Sequence, residues 1–186
     1  MNKIHENETF TKVDLIQVGS EYENCIFNNC DFSNLDLSGT NFNDCKFDKC
    51  NLSLTKTHNT IFNSVIFKDC KLLGINFGDC NINLLSLKFE GCQLNLSSFY
   101  KLKLKEIEFQ DCSLQEVDFS ASDLTKAVFE NCDMSRAIFD NTNLEKSDFT
   151  KSYNYTINPE TNRIKKAKFS IPGVLGLLDK YDIKIV

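Results

Sequence analysis

The sequence predicts an all-β solenoid, and three observations predict it. Large apolar residues recur at every fifth position, a small or apolar residue stands two places before each of them, and the other three positions carry nearly all the charge and amide. A period of five matches neither the 3.6 of a helix nor the plain alternation of a strand, so the chain has to turn a corner once per repeat.

The large residues run Tyr22, Phe27, Phe32, Leu37, Phe42, Phe47, Leu52, Thr57, Phe62, Phe67, Leu72, Phe77 and Ile82, and only Thr57 is polar. After a slip of two residues the series resumes at Phe89 and continues to Phe149, with Phe alternating with Leu or Met. The companion position two places earlier holds Cys, Ser, Thr, Ala, Val, Leu or Ile in all 26 repeats and never a charge. Alternation holds only locally: two inward residues flank one outward residue, and the next two outward residues make the corner. Asn or Asp often precedes the large residue, as at Asp31, Asp36, Asn51, Asn76, Asp118 and Asp133, where the side chain can bond nearby backbone and support a turn.

This pattern, clearest in Val117-Asp118-Phe119-Ser120-Ala121, resembles the pentapeptide-repeat family over residues 20–151. The resemblance implies a right-handed quadrilateral β-helix with four repeats, or 20 residues, per coil. Residues 20 apart should then stack at ~4.8 Å. Allowing for the slip, Phe27, Phe47, Phe67, Phe89, Phe109, Phe129 and Phe149 form one column, and Cys30, Cys50, Cys70, Cys92, Cys112 and Cys132 form another. Both columns survive only if two residues bulge out near 83–87, so the expected organisation is an N-terminal cap over 1–20, a β-helix over 21–151 and a capping and dimerisation segment over 152–186.

Composition narrows the function. A formal charge of −5 and a pI near 5.1 argue against direct nucleic-acid binding, which draws on clustered Lys and Arg. No apolar run reaches a membrane span and Met1–Phe10 is polar, so no membrane role and a cytoplasmic location are expected. Nine cysteines are expected to be reduced, because parallel side chains one rung apart hold Cβ atoms at ~4.8 Å, beyond the usual disulfide range. Zinc is disfavoured by repeat spacing without ligand histidines, which leaves cysteine as a small apolar filler. His5 falls in the leader and His58 on the outward lattice, neither with a catalytic companion, and no phosphate loop or nucleophile motif occurs. The expectation is a protein that is not an enzyme and binds no cofactor or metal.

Charge is unevenly spread. Residues 21–150 hold 20 acids and 12 bases, whereas residues 151–186 hold 3 acids and 7 bases. Beside the Phe column Asp48, Asp69, Glu90, Asp111 and Glu130 fall one per coil, a stripe suited to a basic partner, although Lys46, Lys49, Lys68 and Lys88 interleave with it. At the C-terminus Ser170 can cap a helix that carries Ile171, Val174, Leu175 and Leu178 on one face, and Ile183 to Val186 alternate like a strand. Val174, Leu175, Leu178, Ile183 and Ile185 are the expected homodimer contacts, with Gly173 and Gly176 permitting close approach.

The early run from Asp31 to Phe47 and the ending Leu177-Leu178-Asp179-Lys180-Tyr181-Asp182-Ile183-Lys184-Ile185 are similar to the Qnr-type gyrase-protecting subgroup. That likeness implies a dimeric rod that binds a type II topoisomerase, imitating duplex DNA and relieving quinolone poisoning. The long loops of that subgroup are missing here. Duplex DNA also carries roughly 18 charges over 30 Å, far more than this rod, so mimicry has to rest on shape and a local stripe. The rival reading is an interaction scaffold or immunity-type protein with an unrelated partner.

Overall fold

The computed structural model describes residues 3–11 and 16–184 and is a parallel β-solenoid of four-sided coils. The first face is a four-stranded sheet of Ile4–Glu6, Glu21–Glu23, Asn41–Asn43 and Ile61–Asn63. The second face is a seven-stranded sheet of Thr9–Phe10, Ile26–Asn28, Lys46–Asp48, Val65–Lys68, Leu87–Glu90, Glu108–Gln110 and Val128–Glu130. The third and fourth faces are ladders of single parallel bridges, among them Asp31 to Asn51 and Asp36 to Lys56.

Most corners have one residue in the left-handed region, at φ of +50 to +63° wherever it is not glycine; the 3-10 turns at Phe77–Asp79 and Ile82–Leu84 are exceptions. Asn and Asp enter that region readily, but Lys49, Leu54, Lys101 and Arg136 occupy it as well. Their strain of ~1–2 kcal/mol each is offset by the ladder bonds that fix the corners. The residue opening many faces supports the turn as its type suggests: Asp31, Asn51, Asp118 and Asp133 accept the backbone N–H two residues ahead.

Register sets the core. Phe27 pairs with Phe47, Phe47 with Phe67, Phe67 with Phe89, Phe89 with Phe109 and Phe109 with Phe129. Stacked rings extend this column in both directions, to Phe10 below and through Phe149 to Phe169 above. A second aromatic column, Tyr22, Phe42 and Phe62, lies on the first face in the N-terminal half. In the C-terminal half the second column moves to the fourth face, as Phe77, Phe99, Phe119 and Phe139. The change falls where Ile82–Leu84 forms a 3-10 turn on the first face, capped by Asn81. There the register steps by 22 residues instead of 20, with Val65 paired to Leu87.

Two inward assignments fail. Ile82 is 57% exposed, because the turn lifts it outward and half-buried Leu85 packs on the core in its place. Leu35 is 40% exposed at a repeat position that is buried in most other coils, even where it holds Ile75, Leu102 or Ile107. Thr57 is buried despite its polarity, and its hydroxyl donates to the Asn76 carbonyl.

The ends differ from expectation. His5, placed in the leader by the sequence, belongs to the core: it is buried, pairs in register with Tyr22 and stacks on that ring at 4.8 Å, the first rung of the first-face column. At the other end the expected helix is replaced by two short 3-10 turns, Gly173–Leu177 and Asp179–Tyr181; of the expected strand, Ile183 and Lys184 are not extended into one, and residues 185 and 186 lie outside the described residues. Ser170 does cap, its hydroxyl accepting the Gly173 N–H. Ile171 is 89% exposed, so the apolar face read from helical spacing does not form. Leu177 packs on the core, and a Cβ at Gly176 would lie 2.0 Å from the Tyr155 carbonyl oxygen. The two glycines thus serve a close approach to the rod's own Tyr155. Among the described residues no helix is long and apolar enough to cross a membrane.

Candidate interaction surface

The cysteines are structural, with a role beyond filling space. All nine are free and buried. Cys50 donates its S–H to the Phe27 carbonyl, Cys70 to Phe47, Cys92 to Phe67 and Cys132 to Phe109, each one coil back. Thr55, Thr60, Thr142, Ser147 and Ser152 make the same bond with their hydroxyls. The small inward position therefore favours side chains that give a second donor to a carbonyl of the preceding coil, one that in several turns already accepts a backbone N–H, as at Phe32, Leu37, Phe119 and Leu124, which explains Cys, Ser and Thr there together. Burial pushes Cys45 up to about 12 and Cys80 up to about 11. In the column, contact with the neighbouring sulfur adds to burial and raises Cys50, Cys92 and Cys132. Among the described residues no group of His, Cys, Asp and Glu is placed to hold a metal ion.

The second face carries the longer of the two sheets among the described residues, and the five acids stand along its trailing edge. They occupy two columns. Asp48, Glu90 and Glu130 share the strand column, alternating with Lys68 and Gln110. Asp69 and Asp111 sit one residue further on, in the left-handed corner column, with Gly91 between them. Gly91 is required there: at φ +65° an added Cβ would meet the Asp69 carboxylate at 2.3 Å.

The stripe is only partly free. Lys46 pairs with Asp48 at 3.0 Å and Lys88 with Glu90 at 3.1 Å, while Lys151 pairs with Glu130. The Lys46 ammonium holds the Asp48 carboxyl below its ordinary range. Asp69 and Asp111 are exposed and have no ion pair among the described residues, although Asp111 accepts an N–H from Asn131 at 2.7 Å. Two uncompensated carboxylates, two rungs or ~10 Å apart, remain at the centre of the stripe.

Of the expected dimer contacts, Val174 is 40% exposed, Leu175 48% and Ile183 56%, whereas Leu178 is half-buried. Leu175, Leu178 and Ile183 line a shallow hollow of about 240 Å³ with Asp179 and Asp182. Ile185 lies outside the described residues.

Comparison with known proteins agrees with the geometry. HetL, a pentapeptide repeat protein involved in heterocyst differentiation regulation from the cyanobacterium Nostoc sp. strain PCC 7120, matches with a TM-score of 0.62 at 14% identity, over 90% of this chain and 84% of that one. Full-length QnrB1, a plasmid-mediated fluoroquinolone resistance protein, matches with a TM-score of 0.50 at 19% identity, over 97% of this chain and 100% of that one. At these identities the likeness is one of fold. No curated protein matches the chain. The family described as pentapeptide repeat region matches residues 20–88, 40–119 and 82–169. Repeat, register and match together make the chain a member of the pentapeptide-repeat family.

Proposed function

We propose that the protein is a non-enzymatic, protein-binding rod whose acidic stripe engages the positively charged DNA-binding surface of a type II topoisomerase, in the manner implied by its likeness to the Qnr-type subgroup. The observation that carries this reading is the pair Asp69 and Asp111, exposed, without an ion-pair partner among the described residues, and fixed by left-handed corners on a rigid ladder. Rigid carriage matters, because carboxylates held at fixed spacing lose little side-chain freedom on binding. QnrB1 adds support as a fluoroquinolone resistance protein of like fold. With Asp48, Glu90 and Glu130 already paired, the mimicry is local and not a copy of duplex charge density. The exposed Val174, Leu175 and Ile183 are a further candidate contact, for the same partner or for a second copy at the C-terminal end.

Binding of purified DNA gyrase to the immobilised chain, measured as salt is raised, tests the reading. Micromolar or tighter binding that weakens steeply with salt and is displaced by duplex DNA is expected. Absence of binding at low salt would leave an interaction scaffold for an unrelated protein as the better account.

A further inference from the structure

The corner joining the first and second faces runs through nine rungs, from Asn7 to Lys166, and Ser86 occupies the fifth. Below that rung the outward positions of the first face and its corner carry four acids, Glu6, Glu21, Glu23 and Asp44, and no base. Above it the same columns carry seven bases and three acids. Each of those acids is paired within the rod: Asp123 with Lys105, Glu106 with Lys126 and Glu145 with Arg163. Lys103, Lys146, Lys165 and Lys166 remain, all exposed and without an ion pair among the described residues. Among the described residues, four acids without an ion pair therefore face one end and four such bases the other. At the midpoint the 3-10 turn presents Ile82 and Leu84, 57% and 48% exposed.

From this arrangement we infer that a second copy of the chain docks side by side and antiparallel along this edge, about a two-fold axis through the Ser86 rung. Such an axis maps the first rung onto the ninth and the second onto the eighth. Columns are kept across the axis, so Glu6 faces Lys165 with Lys166 beside it, and Glu23 faces Glu145, itself neutralised by Arg163, with Lys146 beside it in the next column. The contact is isologous, as a closed dimer requires, and a parallel alignment would set like charges against each other. Ile82 and Leu84 of both copies meet on the axis and supply the apolar centre, while the exposed pairs fix orientation and contribute little energy each. Eight rung spacings give a continuous edge ~38 Å long for the two copies to share.

Sedimentation of the full chain at low and high salt, with charge reversals, tests the interface. The parent should be a dimer at tens of micromolar in low salt and dissociate as salt rises. Glu23→Lys and Lys146→Glu should each raise Kd at least tenfold, and the two together in one chain should restore it, because the reversed pair re-forms across the axis. Both residues are exposed, so unchanged circular dichroism is the folding control. Ser86→Cys should give a covalent dimer on oxidation. A monomeric parent at low salt, or a double reversal no better than the singles, would overturn the proposal. So would a dimer that the reversals leave intact and Leu178→Glu dissociates, since that pairing is end to end.

Discussion

Phe67 and Phe89 stack with ring centroids 5.5 Å apart and planes within 11°, although 22 residues separate them where Phe47 and Phe67 are separated by 20. The column is thus continuous across the irregular coil, and the two extra residues are absorbed on the neighbouring face. Each ring contacts the rungs above and below as well as rings on other faces, as Phe109 does with Phe89, Phe129, Phe99 and Phe119. Phe109→Ala should therefore cost ~3–5 kcal/mol in unfolding free energy, measured by denaturant titration. A loss below ~1 kcal/mol would be incompatible with a buried rung.

Native thiol titration should find almost no reactive cysteine, and titration after unfolding should find nine. The donor role adds a finer expectation. Cys50→Ala removes the S–H donor from the Phe27 carbonyl, which stays in the strand ladder, and should cost ~0.5–1.5 kcal/mol, whereas Cys50→Ser keeps a donor of the kind used at Ser147 and Ser152 and should cost less.

Acid stability should depend on Asp133. Burial works against its charge, but hydrogen bonds from Gln115, Ser135 and Asn154 outweigh that effect and hold its pKa at about 2. A depressed folded-state pKa contributes stability that is complete above the unfolded value near 3.8 and is lost as pH falls toward 2. With allowance for solvent screening the contribution is about 1–2 kcal/mol. Asp133→Asn should accordingly flatten the stability profile between those pH values, read from thermal midpoints.

The C-terminal cap rests on a backbone approach at Gly176. Gly176→Ala should loosen it, costing ~1–3 kcal/mol locally, because the new methyl meets the Tyr155 carbonyl. The amide of Ile157, which donates to the Gly176 carbonyl at 3.0 Å, should then exchange faster with solvent while amides in the central coils stay unchanged.

The coils were legible because a strict period places Phe47 over Phe27 and Cys50 over Cys30 without reference to anything distant. His5 escaped notice because its coil is three residues short: it pairs with Tyr22 at a spacing of 17. The C-terminal turns were misread from spacing alone. Ile171, Val174 and Leu178 fit a helical face, but Gly173 and Gly176 settle on Tyr155 and tighten the segment into 3-10 turns. The stripe itself could be read from the repeat. So could the neutralisation of Asp48 and Glu90 by Lys46 and Lys88, each two residues away, but not that of Glu130, which Lys151 reaches from 21 residues away.

Gyrase supercoiling, titrated with the protein in the presence and absence of a fluoroquinolone, tests the functional account most directly. The parent should alter the reaction at micromolar concentration. Reversing Asp69, Glu90 and Asp111 to Lys should abolish that effect with the fold intact, whereas reversing Asp79, Glu116 and Asp140, on and beside the opposite face, should preserve it. A parent without effect, or two triple variants that behave alike, would contradict the assignment of the stripe as the binding surface.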